Sequence, residues 1–186
     1  FDAFFGSGQH DVDDDSRLLV PEGMTARAYA AEIMRTQLSA VTGEDYSEAG
    51  DAEFTDSLMY NVAPAMSFWG GFYQNTIYRF RPNGLDPESS IMDIVILRPV
   101  PKEGPRPEPV PTMHLDFDEP VTLAGETMGE GLAVVFEQDA INLPWVQKGL
   151  RASRTGTVEF TNYQEQRLRL HHRLIDRLIA EGEAAR

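Results

Sequence analysis

Apolar residues recur along this 186-residue chain with two different periods. In the middle, "MSFWGGFY" (66–73), "NTIYRFRP" (75–82) and "SSIMDIVILRPV" (89–100) are dense in aromatic and β-branched side chains. Turn-forming residues separate them, so three antiparallel strands are expected. In the second, Thr76, Tyr78 and Phe80 alternate with Ile77, Arg79 and Arg81. Residues two apart share a sheet face, which puts Tyr78 and Phe80 on the inner one. "RPNGLDPESS" (81–90) reads as the loop between the second and third strands.

Elsewhere the period is close to 3.6. "TARAYAAEIMRTQLSAV" (25–41) predicts a helix with Thr25 as its N-cap and Gly43 as its stop. "SRLLVPEG" (16–23) predicts a short strand ended by Pro21 and Gly23, and "DAEFTDSLMYNVAP" (51–64) either a short helix or an irregular approach to the sheet. "RTGTVEF" (154–160) is a short strand or turn, after which Thr161 and Gln164 make a capping box for a last helix over 162–182.

The helical stretch from Glu130 to about Ser153 holds the main candidate. At about 100° per residue, Val135, Asp139, Leu143, Val146 and Leu150 fall on one side. An ionised carboxylate buried in such a stripe costs several kcal/mol unless a cation or hydrogen bonds hold it. Asp139 is therefore either tied to an Arg or to backbone amides, or it is a metal ligand or general base in a pocket. Pro144 cannot donate to the carbonyl of Ala140, so a bend or restart is expected one residue after Asp139.

Composition narrows the field. Half of the twelve prolines lie in "RPVPKEGPRPEPVPTM" (98–113), which predicts an extended loop, with docking to a proline-binding module or a neighbouring subunit as alternatives. Sixteen basic against thirty acidic residues give a net charge of −14, which disfavours nucleic acid and anionic membranes as partners. Absence of cysteine excludes disulfides and thiolate chemistry within the chain and fits a cytoplasmic setting. No run approaches the roughly 20 apolar residues that span a bilayer. The charge is uneven: residues 1–60 are acidic, whereas 145–177 are basic through Lys148, Arg151, Arg154, Arg167, Arg169, Arg173 and Arg177. The two regions are solvated faces or complementary patches within or between subunits.

Other motifs carry less. His171 and His172 are adjacent on the last helix and point about 100° apart, so they are expected to flank a Leu168, Ile175, Ile179 stripe, one half-buried and one wet. His10 lies in "GSGQHDVDDD", which lacks the spacing of a calcium loop. Neither phosphate-binding glycine signatures nor a nucleophile elbow occurs. Phe68, Trp69, Phe72, Tyr73, Tyr78 and Phe80 form a core or line an apolar ligand cavity.

"VFEQDAINLPWVQKGLRAS" resembles the segment of Rieske-type non-haem iron oxygenases, the aromatic-ring-hydroxylating α subunits, in which an acid followed eight residues later by Gln and then Gly-Leu supplies the carboxylate of the iron site. "IYRFRPNGLDPESSIMDIVILRPVP" resembles the strands that precede that helix, and "LHHRLIDRL" fits the closing helix. The likeness runs from about Ser16 to Gly182. It implies an α+β fold of the helix-grip type, a curved antiparallel sheet packed on a long C-terminal helix, with residues 1–186 forming a partial catalytic domain. It also implies Fe(II) bound by two histidines and one carboxylate, with Asp139 at the carboxylate position.

Departures from the family are equally plain. None of the four histidines stands where the family's pair is expected, and the [2Fe-2S] Rieske cluster needs two cysteines that this chain lacks. Both are expected in an N-terminal part preceding Phe1, so no cofactor is expected tightly bound to this chain alone. The parent enzyme would take electrons from a reductase or ferredoxin, act on a hydrophobic, aromatic small molecule and form a homotrimer. Asn61, Phe68, Tyr78, Asn142 and Trp145 are the pocket candidates. The alternatives are a non-catalytic helix-grip domain binding a hydrophobic small molecule, and a scaffold-only subunit.

Overall fold

A computed structural model describes residues 19–72 and 74–185, which form an α+β chain with one four-stranded antiparallel sheet. The chain divides into two units. One takes residues up to Ala30 with Pro105–Val158, the other Ala31–Gly104 with Glu159 onward.

Helix α1 (Ala26–Thr42), whose residues from Ala31 belong to the second unit, starts as its sequence predicts. The Thr25 hydroxyl accepts the Ala28 N–H at 3.1 Å, satisfying one of the amides that a first turn leaves free. It stops at Gly43, whose φ is +75°. Helix α2 (Asp51–Thr55) resolves the alternatives for 51–64 in favour of a short helix followed by a strand. Its Phe54 is fully buried, stacked on Phe72 with ring centroids 5.0 Å apart and met edge-on by Tyr46 at 6.3 Å. The guanidinium of Arg35 lies 5.1 Å over the same ring and donates to Ala49 O and Asp51 Oδ1, both at 3.0 Å. One aromatic side chain thus ties α1, α2 and the segment after the second strand together.

The sheet has four strands where three are expected: β1 (Leu58–Val62), β2 (Met66–Gly70), β3 (Thr76–Asn83) and β4 (Asp86–Ile96), in that order. The stretch 81–90 is not a loop. Strands β3 and β4 continue through it to a two-residue turn at Gly84 and Leu85, because Asn83 and Gly84 supply tight-turn chemistry. The β2 pairing ends at Met66 opposite Arg79, whereas β3 and β4 pair on through Arg81 opposite Ile91 and Pro82 opposite Ser90. Pro82 is tolerated because it lies beyond the β2 ladder and beside a register shift.

Register fixes the two sheet faces. Asn61, Ser67, Trp69, Thr76, Tyr78, Ile94 and Ile96 share one; Tyr60, Phe68, Ile77, Arg79, Arg81, Asp93 and Val95 share the other. Thr76 is buried and Tyr78 half-buried, but Phe80, expected with them inside, is exposed. It stands on the part of the hairpin that β2 does not reach.

After β4 the chain runs without helix or strand to Pro120, as its prolines require. In the first unit a 3-10 turn (Val121–Ala124) and the one-turn helix α3 (Gly125–Met128) lead into α4 (Glu130–Ala152). Helix α4 runs unbroken through Pro144, so the expected restart does not occur. Of the alternatives for 154–160, strand or turn, the chain takes the turn, continued by irregular backbone. Two further boundaries differ from expectation: Leu19 and Val20 are not in a strand, and the last helix, α5 (Gln166–Ala184), begins four residues later than its capping box implies. The Thr161 amide instead donates to the Glu165 carboxylate at 2.5 Å, drawing that segment into a turn. The readings placed on 16–18, His10 and Tyr73 lie outside the described residues.

Candidate functional site

Helix α4 presents two unlike faces. Ala133 is buried, and Phe136, Glu137, Ala140 and Pro144 are half-buried at helical spacing. The short side chains of Ala133 and Ala140 lie on that side. Glu137 closes the contact: its Oε2 accepts the Val121 amide and, at 3.3 Å, the Thr122 amide, satisfying the start of the 3-10 turn.

Large apolar residues occupy the uncovered sides of the helix. Val135, Leu143, Val146 and Leu150 are all exposed, and Asp139 stands exposed among them with Asn142 beside it. Among the described residues the Asp139 carboxylate has neither hydrogen bond nor ion pair. The acid held by the fold is Glu137, two residues earlier and on the other side of the helix. Trp145, 65% exposed, lies about a third of a turn from the Asp139 face, with the Lys148 ammonium 4.4 Å over its ring.

In the other unit, Asn61 and Tyr78 share a sheet face while Phe68 is on the reverse. Asn61 Oδ1 accepts the Ser67 hydroxyl at 2.6 Å, and the Trp69 indole N–H donates to the Tyr78 hydroxyl at 3.0 Å. Phe68 instead stacks on Tyr60 at 5.3 Å. The expected pocket residues are thus distributed over α4 and two sheet faces. A depression of about 420 Å³ lies elsewhere, where Pro101, Lys102 and Glu103 meet the end of α1, and none of the expected residues lines it.

Arg79, Arg81 and Asp93 form a charge cluster on the sheet. Hydrogen bonds from Arg81 first, and from Arg79, hold the Asp93 carboxyl well below its ordinary value of 3.8. The period-2 placement of the two arginines is visible in the sequence; their cross-strand partner becomes visible only with the register. His171 is half-buried and His172 exposed, 5.2 Å from the Phe160 ring.

An iron site of two histidines and a carboxylate does not fit the described residues. They contain no group of three His, Asp or Glu side chains that could hold a metal ion, and Asp139 has no second donor. Nor is any helix among them long and apolar enough to cross a membrane. Compared with protein-family models, curated proteins and solved structures, the chain has no match in any of the three.

Proposed function

We propose that this chain is part of the catalytic domain of a Rieske-type oxygenase that hydroxylates an apolar, aromatic substrate, to which it contributes the carboxylate of Asp139. One observation carries the reading: a single unbroken helix presents Asp139 and Asn142 on the same uncovered apolar face as Val135, Leu143 and Val146. A carboxylate framed by bare aliphatic side chains suits a site that other protein surface completes. In this reading the sheet and the Asp139 helix are contributions to a helix-grip architecture. The imidazoles, the Rieske cluster and the reductase contacts come from outside the described residues.

The chain alone then binds iron(II) weakly or not at all, because one carboxylate is a poor site. Calorimetry with iron(II) under anaerobic conditions tests this, and a tight stoichiometric site would contradict it. Coding sequence upstream of Phe1 that encodes a Cys-x-His motif and a histidine pair would support the assignment.

A metal-free binding module for a hydrophobic small molecule is the second reading. It is favoured by the sheet face on which Asn61, Ser67, Trp69 and Tyr78 alternate polar and aromatic groups. An initiator codon directly before Phe1, with no companion reading frame, would favour it.

A further inference from the structure

Helix α5 has no buried side chain. Leu168, His171, Ile175, Leu178 and Gly182 follow one another at the a and d spacing of a heptad, and Leu168 is 47% and the adjoining Ile179 55% exposed. A strip of this kind calls for a facing helix, and its charges specify which. The first half, 166–175, carries Arg167, Arg169 and Arg173 and no acid. The second, 176–184, carries Asp176, Glu181 and Glu183 against Arg177. Of these charges Arg167 and Glu181 flank the strip, so a reversed copy sets each opposite its complement, whereas a parallel copy sets Arg167 beside His172 and no acid.

We propose that α5 is an interaction surface whose occupant is α5 of a second copy of this chain, paired antiparallel about a two-fold axis near Arg173. Layering Leu168 on Leu178 and His171 on Ile175 sets the register. The positions flanking the strip then bring Arg167 opposite Glu181 of the second copy and Leu174 opposite its own counterpart, while His172 meets its counterpart on the other flank. Glu181 is free to make this exchange, since its bond to Arg177 is 3.6 Å long with both side chains 65% exposed, a pair of little intrinsic strength. Arg169 is excluded from the interface by its hydrogen bonds back to the carbonyls of Phe160, Thr161 and Asn162. The inference is independent of the oxygenase reading, because it uses no residue of α4.

Sedimentation equilibrium of the full chain is expected to show a concentration-dependent dimer. Glu181→Arg should raise its dissociation constant about tenfold, since it turns two attractive flanking pairs into repulsive ones, and adding Arg167→Glu should restore it. Both sites are exposed, so folding is preserved. Because the chain has no cysteine, single introduced cysteines report the register. His172→Cys should form a disulfide with itself, and Arg167→Cys and Glu181→Cys should link only when the two variants are mixed. A monomer at every concentration, a dimer indifferent to Glu181→Arg, or Arg167→Cys linking to itself would overturn the proposal. So would a monomer whose α5 amides resist hydrogen exchange, since its own chain would then cover the strip.

Discussion

Arg81 reaches diagonally across the β3–β4 ladder to clasp Asp93 with two hydrogen bonds, Nε to Oδ2 at 2.7 Å and Nη2 to Oδ1 at 2.9 Å. Arg79, directly opposite Asp93 in register, donates its Nε to the same Oδ2 at 2.7 Å. Two cations on a single carboxylate favour its ionised form.

The sign of the resulting pH dependence follows from a folded pKa depressed below the unfolded value of 3.8. The stabilisation is complete above about pH 4 and is lost as pH falls toward the lower folded value. Carboxyl-carbon NMR should give Asp93 a midpoint below 3.8. Asp93→Asn should lower the melting temperature slightly at neutral pH, less in high salt, and flatten its decline in acid. A midpoint at or above 3.8 would remove the argument.

Two glycines separate backbone strain from crowding. Gly71 has φ +77° and a Cβ there would stand 2.5 Å from the carbonyl oxygen of Glu53, which also accepts the Phe72 amide at 2.6 Å. Gly84 has φ +64° with open space around it. Gly84→Ala should cost about 1 kcal/mol, the strain of a left-handed alanine. Gly71→Ala should cost about 3 kcal/mol or more, because strain and displaced backbone add. Urea unfolding measures both, and equal costs would show that the Glu53 contact is unimportant.

The two acids of α4 give the sharpest contrast. Glu137→Ala removes the acceptor of two backbone amides and should destabilise by about 1 kcal/mol. Asp139→Ala changes an exposed side chain without internal partners and should stay within about 0.5 kcal/mol. Equal losses would mean that Asp139 has a partner in solution.

Much of the architecture was readable from periodicity. The α1 boundaries followed from Thr25 and Gly43, and the irregular stretch after β4 from its prolines, since both depend on neighbours a few residues away. The hairpin at 84–85 is hidden in the sequence because Pro82 and Pro87 weigh locally against strand, while cross-strand pairing on one side of Pro82 outweighs them. On α4 the large side chains mark the Val135–Leu150 stripe, which stays uncovered. The face that packs is marked by Ala133, Glu137 and Ala140, whose value lies in smallness and reach. That value depends on the turn at 121–124, which no helical wheel contains. For the same reason only the β1–β2 and β2–β3 registers part Phe68 from Asn61 and Tyr78.

Because β3 and β4 continue beyond the end of β2, the sheet tapers from four strands to a lone ribbon. Opening that ribbon from its tip breaks only the bonds between its two strands, whereas opening the root also frees β2. Amide exchange should therefore advance like a zip from Leu85 toward Thr76, so that one hairpin spans a gradient from rapid fraying to the slowest protons of the sheet.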